Sequence, residues 1–182
     1  MRPDAAAAIL ANLAALVPAA PGQAADKPLA FDHFMVAISV ADIDAETAFY
    51  VDKLGFAVEK DASMRDGAVK MRWLVNGTER IELIQSAGSA PGPARAQPPA
   101  HAGIRGLTQI TLATSDLESV RAALAARNVI PALDITEVEP LGIKVMYVTD
   151  PEGNAVEIVQ WLPGQGPPDQ PQPSQEPTVG GG

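Results

Sequence analysis

The sequence predicts an α+β fold built from two tandem βαβββ modules. Two stretches that follow one plan carry this prediction: FDHFMVAISVADIDAETAFYVDKLGF, which begins at Phe31, and GLTQITLATSDLESVRAALAARNV, which begins at Gly106. An offset of 74 residues aligns Asp42 with Asp116, and each aspartate follows a strand-like alternation and precedes a helical one. Three shorter strand patterns follow in each half, so the two halves are expected to form related sheets.

The first half begins with an alternating strand pattern, and Asp42 is placed to cap the helix that follows it. Apolar side chains recur at helical spacing in that helix, at Ile43, Tyr50 and Leu54, with Thr47 at the intervening position. The further strands of this half are expected at about 57–61, 69–75 and 80–85, with an Asn76-Gly77 turn before the last.

The second half repeats this order, with Asp116 in the capping position. Its helix carries an apolar stripe formed by Leu117, Val120 and Leu124. The further strands are expected at about 130–136, 143–149 and 155–161, and the turn 150–154 joins the last two. Each half is therefore predicted to be one βαβββ module.

Strand alternation predicts which side chains share a face, because residues i and i+2 of a strand point the same way. Met35 lies opposite the apolar face of the first strand, and Glu82 lies opposite that of the last strand of the first half. Gln109 and Glu157 hold the equivalent places in the second half. These four side chains are expected to face away from the helices, and a sheet that curves away from its helices makes that face a cleft.

The uneven distribution of proline and glycine predicts the domain boundaries. The working domain is expected at 28–162, with a first module at 28–86, a linker at 87–103 and a second module at 104–162. The tail 163–182 is rich in Pro, Gly and Gln, and Val179 is its one strongly apolar side chain. Because such a segment has little apolar area to bury, the tail is predicted to be disordered.

The N-terminal segment 1–27 is rich in Ala and Leu and allows two interpretations. Its apolar stretch 5–17 and the small residues around Gln23 are typical of a cleaved signal peptide, which predicts a periplasmic or secreted protein. The alternative is an Ala-rich helix with Pro3 near its first turn, and the protein is then cytoplasmic. In either case the apolar stretch is too short to span a bilayer, which needs roughly 20 residues.

Composition argues against several classes of function. The chain of 182 residues has a formal charge of −9 and a pI near 4.6, which argues against a nucleic-acid partner. Hydrophobic residues make up 47% of the chain, which is enough for a globular interior. Cysteine is absent, so disulfides and zinc–thiolate sites are excluded, and the 2 histidines are too few for a three-histidine metal site.

Two motifs carry a resemblance to a known family: SVADIDAETAFYVDKLGF in the first half and DPEGNAVEIVQ in the second. Together with the short RIELIQ strand, they resemble the vicinal oxygen chelate superfamily, which includes glyoxalase I, methylmalonyl-CoA epimerase, extradiol dioxygenases and bleomycin-resistance proteins. The resemblance covers about 31–161. It implies a glyoxalase-like fold, in which paired βαβββ modules form a U-shaped cleft that a homodimer often completes.

The resemblance also implies a divalent-metal site with one ligand from the first strand and one from the last strand of each half. Carried over by position, these ligands fall on Met35, Glu82, Gln109 and Glu157. The oxygen donors among them favour Mg²⁺, Mn²⁺, Ni²⁺ or Co²⁺ before Zn²⁺, whereas the thioether of Met35 is a weak donor for such ions. His33 lies on the same face but roughly 6.6 Å further along the strand, so it replaces Met35 only if the strand slides or bulges.

These residues also allow interpretations without a metal. Glu82 and Glu157 can be exposed carboxylates, or Glu82 can form an ion pair with the nearby Arg72 or Arg80. His101 lies in the Pro-rich linker and is expected to be solvated. Apolar and basic side chains are expected to line the pocket, namely Met35, Arg72, Trp73, Ile84 and Val159.

The resemblance implies two candidate functions. The first is a metal-dependent lyase or isomerase that acts on a small oxygenated substrate through an enediolate-type intermediate, with Glu157 or Glu82 moving the proton. The second is a metal-free protein that binds or sequesters a small molecule, as the bleomycin-resistance members do. In that case the strand carboxylates favour a cationic or polyhydroxylated ligand.

Overall fold

The computed structural model describes residues 34–166, which contain both halves of the repeat. The N-terminal segment 1–27, His33 and the tail beyond residue 166 lie outside the described residues. The expectations of a signal peptide or Ala-rich helix, of a disordered tail and of His33 as a ligand therefore stay predictions.

The first half forms a four-stranded sheet. Its strands are β1 (Met35–Ser39), β2 (Ala57–Met64), β3 (Val69–Asn76) and β4 (Glu79–Ser86). They lie in the order β1-β4-β3-β2, with β1 parallel to β4 and the other neighbours antiparallel. The chain passes from β1 to its parallel neighbour β4 through a helix, β2 and β3. Two parallel neighbouring strands require a long connection of this kind.

The second half forms a second four-stranded sheet with the same topology. Its strands are β5 (Gln109–Ala113), β6 (Leu133–Val138), β7 (Ile143–Thr149) and β8 (Ala155–Trp161). Their order is β5-β8-β7-β6, again with the first strand parallel to the last and the other neighbours antiparallel. The predicted α+β fold with two βαβββ modules is therefore confirmed.

Both predicted helix caps are present. The carboxylate of Asp42 accepts hydrogen bonds from the backbone N–H groups of Asp44 and Ala45, at the start of α1 (Ile43–Ala48). Asp116 accepts from the backbone N–H of Ser119, at the start of α2 (Leu117–Ala126). Each cap satisfies backbone donors that have no partner within the helix, which explains why each helix begins where the sequence predicts.

The first helix differs from the expected regular stripe. After Ala48 the chain continues as a π-helical turn, Phe49–Lys53, and does not run as α-helix as far as Leu54. Tyr50 is nevertheless fully buried, with its ring edge-on to those of Phe49 and Phe56. The wider turn thus keeps the predicted apolar contacts of Tyr50 while changing the helix geometry.

The two modules share one hydrophobic core on their helix sides. α1 contacts β3 and β4, and α2 contacts β7 and β8. One cluster of buried residues joins Ile43, Leu74 and Leu83 of the first module to Leu124 and Val156 of the second. At the helix ends, Lys53 Nζ donates to the carbonyl of Arg127 (2.9 Å), and Arg127 Nη1 donates to the carbonyl of Lys53 (2.8 Å). No helix in the described part of the chain is long and apolar enough to cross a membrane.

A buried pair of carboxyl groups lies where the modules meet. Glu46 of α1 is fully buried, and Asp150 in the turn between β7 and β8 is 4% exposed. Burial, together with the nearby charge of Asp150, raises the pKa of Glu46 to about 9. Glu46 is therefore a neutral acid at pH 7. Tyr50 donates to the carboxylate of Asp150, over 3.2 Å.

Candidate functional site

The strand registers place all four family-implied positions on sheet faces turned away from the helices. Ala37 of β1 is paired with Glu82 of β4, and Thr111 of β5 is paired with Glu157 of β8. The residues that alternate with them, such as Leu83 and Ile158, belong to the helix-side core. Met35 and Gln109 begin β1 and β5 on the same faces as their glutamates, as the alternation predicts.

Glu157 is the most buried of the four family-implied ligand residues, at 9% exposed. Its Oε1 accepts a hydrogen bond of 2.6 Å from the hydroxyl of Tyr147. Its Oε2 accepts from the Thr111 hydroxyl (2.7 Å) and from Gln109 Nε2 (2.9 Å). Two of the expected ligand residues therefore meet, but Glu157 is held by three neutral donors on its own sheet.

Tyr147 acts as a fixed donor in this arrangement. Burial raises the pKa of its hydroxyl above the ordinary value, and the hydrogen bond to Glu157 raises it further. The hydroxyl is therefore protonated at neutral pH, so it can donate to the carboxylate. Tyr147 also packs with Val145 and Val159 in a second buried cluster, on the face of the second sheet opposite the helices.

His101 corrects the expectation of a solvated side chain, because it is only 6% exposed. It belongs to the 3-10 turn Ala100–Gly103 in the linker, and its Nε2 lies 2.6 Å from Gln109 Oε1. An amide oxygen only accepts, so Nε2 carries the hydrogen. The imidazole ring lies 5.1 Å from the ring of Tyr147. We call His101, Gln109, Thr111, Tyr147 and Glu157 the Glu157 cluster.

The linker that brings His101 to the second sheet gives little signal in the sequence. Its Pro, Ala and Gly residues have no strand or helix period, so its path cannot be read from local patterns. A further contact ties it to the sheet, because the Thr149 hydroxyl donates to Gln97 Oε1 over 3.1 Å. The one available signal was that His101 is one of only 2 histidines in the chain.

Glu82 lies on the first sheet and has a different partner. Its Oε1 accepts a 2.9 Å hydrogen bond from Trp73 Nε1, from the neighbouring position on β3. Lys60 Nζ lies 5.2 Å from the centre of the Trp73 ring, which is a cation–π contact. Ile84, the next residue on this face of β4, is half-buried, and Met35 is 38% exposed. Expected pocket residues of the first module therefore share one accessible face.

Arg72 does not belong to that face. Its Nε donates to Asp61 over 2.6 Å, and its Nη1 donates to Asp44 over 3.0 Å at the start of α1. These hydrogen bonds raise the pKa of the Arg72 guanidinium, with the bond to Asp61 the largest cause. Because Arg72 alternates with Trp73 along β3, it points to the helix side, and the structure does not place it in the pocket expected around Trp73.

Arg80 also has a carboxylate partner other than Glu82. Its guanidinium forms two hydrogen bonds with Glu59, of 2.9 and 2.8 Å. The side-chain hydrogen bonds from Arg80 lower the pKa of Glu59. Since both nearby arginines are paired elsewhere, the ion pair considered for Glu82 is replaced by its hydrogen bond to Trp73.

The arrangement of donors does not fit a divalent metal ion. Across residues 34–166, no three His, Cys, Asp or Glu side chains are placed to hold one. The carboxylate of Glu157 already accepts three hydrogen bonds, and Gln109 Oε1 faces the N–H of His101. Met35 supplies only a soft thioether at the first position. Metal binding at this site would require the Glu157 cluster to give up hydrogen bonds in a half-buried place, which is costly.

Comparison with known proteins agrees with this fold. A family model described as the Glyoxalase/Bleomycin resistance protein/Dioxygenase superfamily matches residues 30–158. The glyoxalase family protein from Enterococcus faecalis is 24% identical with a TM-score of 0.56, and the match covers 72% of this chain and 97% of that one. A comparison with curated proteins gives no significant match.

Two further solved structures are similar at lower identity. The glyoxylase/bleomycin resistance protein/dioxygenase domain from Frankia sp. is 15% identical, with a TM-score of 0.58 and coverage of 76% of this chain and 96% of that one. The trypanothione-dependent glyoxalase I of Leishmania major is 18% identical, with a TM-score of 0.53 and coverage of 72% and 87%. At such identities the likeness concerns the fold alone.

Proposed function

We propose, from the premise that this chain belongs to the Glyoxalase/Bleomycin resistance protein/Dioxygenase superfamily, that it binds a small organic molecule without a metal ion. The ligand would lie on the sheet faces turned away from the helices. This is the second of the two functions that the sequence resemblance implies. The following observations support it over the metal-dependent lyase or isomerase.

The Glu157 cluster is the observation that carries this proposal. A carboxylate at a family-implied ligand position is held by Tyr147, Thr111 and Gln109, with bonds of 2.6 to 2.9 Å. Hydrogen bonds to a charged acceptor are among the strongest in proteins, and a buried acceptor that loses its donors is destabilised. The cluster is therefore better suited to fixing the shape of the second sheet than to exchanging its donors for a metal.

The first sheet provides the surface that a ligand can reach. Trp73 lies at its centre with the indole N–H held by Glu82, so the orientation of the ring is fixed. Met35 is 38% exposed, and Ile84 is half-buried beside the pair. The indole ring, which Lys60 contacts, and its flexible thioether and aliphatic neighbours suit an apolar or aromatic part of a ligand.

The metal-dependent lyase or isomerase is the second candidate, and one observation favours it. Gln109 Nε2 and Glu157 Oε2 are 2.9 Å apart, so two of the three expected oxygen-donor residues already meet. In that case Mg²⁺, Mn²⁺, Ni²⁺, Co²⁺ or Zn²⁺ would be the cofactor, with Glu82 and Glu157 as the catalytic carboxylates. The resemblance further implies a homodimer, which light scattering on the full chain would test.

Metal content and ligand binding, measured on the same protein, separate the two candidates. The full chain is stripped with a chelator, dialysed against each ion, and examined by elemental analysis. A thermal-shift screen with small organic molecules follows in the absence of metal. The proposal predicts no stoichiometric metal and a rise in Tm with at least one organic compound.

Matched variants show whether any retained metal belongs to the site. Glu157→Gln removes the charge of the cluster, and Glu137→Gln removes an equal charge at an exposed position of β6. One ion per chain in the wild type and in Glu137→Gln, but not in Glu157→Gln, would establish the metal-dependent candidate. It would overturn the metal-free proposal.

A further inference from the structure

A cavity of about 190 Å³ lies between β1 and β5. The edges of the two strands, Arg95 of the linker and the start of β8 border it, it is open on one side, and apolar side chains form part of its wall. Its polar lining comes from Ser39, Arg95, Thr108, Gln109 and Asn154. A cavity of this size is smaller than the roughly 300 Å³ typical of drug-sized ligands, so it suits a molecule of few atoms.

Unpaired backbone groups of two edge strands border this cavity. Among the strands of the described residues, β1 and β5 each have a neighbour on one side only. The backbone N–H of Val40 donates to the carbonyl of Ile84 on β4. Because successive residues of a strand point their backbone groups to opposite sides, those of Ala37 and Ser39 point away from β4. In the same way, the backbone N–H of Thr114 donates to the carbonyl of Val159 on β8. Gln109, an odd number of residues earlier, therefore points its backbone groups to the other side, toward β1. Within residues 34–166, no backbone hydrogen bond joins β1 to β5.

Arg95 supplies a positive charge at this cavity. Its side chain is half-buried, and its Nη1 donates to the carbonyl of Ile104 over 2.9 Å. In the part of the chain that the structure describes, no carboxylate lies within ion-pair distance of Arg95. Arg72, Arg80 and Arg121, in contrast, each hold a carboxylate. A guanidinium has five N–H donors, so most of those of Arg95 stay available for a ligand.

The charge of Arg95 is not balanced by the other described lining residues, because none of them is acidic. A half-buried cation without a counter-ion is costly, and a bound anion would remove that cost. The chain as a whole is acidic, with a formal charge of −9, so the charge at this cavity is opposite in sign to the net charge of the protein. The cationic ligand expected from the strand carboxylates is therefore not the one that this cavity favours.

We infer that the cavity between β1 and β5 binds the carboxylate of a small organic acid. The guanidinium of Arg95 pairs with the carboxylate, and the edge-strand N–H groups and the Ser39 and Thr108 hydroxyls take its remaining hydrogen bonds. A carboxylate carries one negative charge, which a single guanidinium balances, whereas phosphate carries more than one. The inference rests on the proposed metal-free binding function and names the ligand class for it.

Matched pairs of acids and amides test this inference on the full chain. Lactate and propionate are titrated against lactamide and propionamide, with inorganic phosphate in a separate series, while amide NMR signals and Tm are followed. The acids are expected to raise Tm and to shift the amide signals of Ala37, Ser39 and Gln109. The neutral amides, which keep the size but lose the charge, are expected to do neither.

Substitutions test whether Arg95 is the cation that binds the carboxylate of the acid. Arg95→Gln is expected to weaken lactate binding by about tenfold or more, because a charge-assisted hydrogen bond is lost. Arg105→Gln removes the same charge from an exposed position just after the linker and is expected to bind like the wild type. Arg95→Lys keeps the charge, and Thr108→Val removes a lining hydroxyl, so these two variants test the site even if Arg95→Gln disturbs the linker.

Several results would overturn the inference: equal binding of acids and amides, tighter binding of phosphate than of lactate, or equal loss in Arg95→Gln and Arg105→Gln. If neutral or cationic compounds bind at Trp73 and the acids do not bind through Arg95, this inference fails while the proposed function stands. If none of the organic compounds binds, both fail.

Discussion

His101 Nε2 lies 2.6 Å from Gln109 Oε1, so a side chain of the linker takes the acceptor that the family resemblance assigns to a metal. Gln109 in turn donates to Glu157, which links the linker to the centre of the second sheet. The hydrogen-bond direction follows from the amide oxygen, which can only accept. This contact explains why two of the expected ligand residues meet without forming a metal site.

Replacing His101 with alanine tests the structural value of this contact. The variant leaves the half-buried Gln109 oxygen without its donor and removes the ring that packs against Tyr147. We expect His101→Ala to lower the free energy of unfolding by about 1–3 kcal/mol, measured by urea denaturation. His101→Gln, which can still donate through its amide, is expected to recover part of the loss. Equal losses in both variants would contradict a role for the hydrogen bond.

Tyr147→Phe tests whether Glu157 depends on its neutral donors. The substitution keeps the ring and its packing, and it removes the 2.6 Å hydrogen bond to Glu157 Oε1. Because a buried carboxylate oxygen loses its donor, the free energy of unfolding should fall by about 1–3 kcal/mol at pH 7. Thr111→Val removes another donor to Glu157, from a more exposed side chain, and is expected to cost less. A Tyr147→Phe protein as stable as the wild type would show that the cluster does not hold Glu157 in place.

Glu46→Gln is expected to change the pH dependence of stability. The folded-state pKa of Glu46 is about 9, against an ordinary value of 4.5, so the folded protein holds this proton more tightly than the unfolded chain. The contribution of Glu46 to stability is therefore present below about pH 4.5 and is lost as the pH rises toward 9. The wild type should lose stability relative to Glu46→Gln across this range, by at most about 1.4 kcal/mol per pH unit.

The check is a set of urea denaturation curves between pH 5 and pH 9, chosen to lie between the two pKa values. Glu137→Gln, at an exposed position of β6, serves as the control and should run parallel to the wild type. Parallel curves for Glu46→Gln would mean that Glu46 is already ionised in the folded protein.

Local periodicity was sufficient to predict the fold and the two sheets. β7 and β8 have the predicted bounds, 143–149 and 155–161, because alternation and the turn between them are encoded locally. β6 begins at Leu133 and not at 130, since Pro131 has no N–H to donate to a neighbouring strand. β2 continues to Met64 because the whole of its partner β3 is available for pairing.

The candidate site was predicted only where it depends on strands. Gln109 and Glu157 were placed on one face by alternation, and they do meet. His101 and Arg95 come from the aperiodic linker, and their positions depend on how that segment packs against the second sheet. No local pattern encodes such packing, so their contacts with Gln109 and with the cavity became apparent only in the structure.

The metal content of Met35→His tests the central claim most directly. The substitution places a histidine at the family-implied first position. If the donors at the other positions were free, the variant would bind a divalent metal ion more tightly than the wild type. The wild type and the variant are stripped, dialysed against Mn²⁺ or Ni²⁺, and compared by elemental analysis. Because Gln109 and Glu157 are engaged with His101, Thr111 and Tyr147, we predict that neither protein retains metal in stoichiometric amount; one ion per chain in Met35→His would contradict this account.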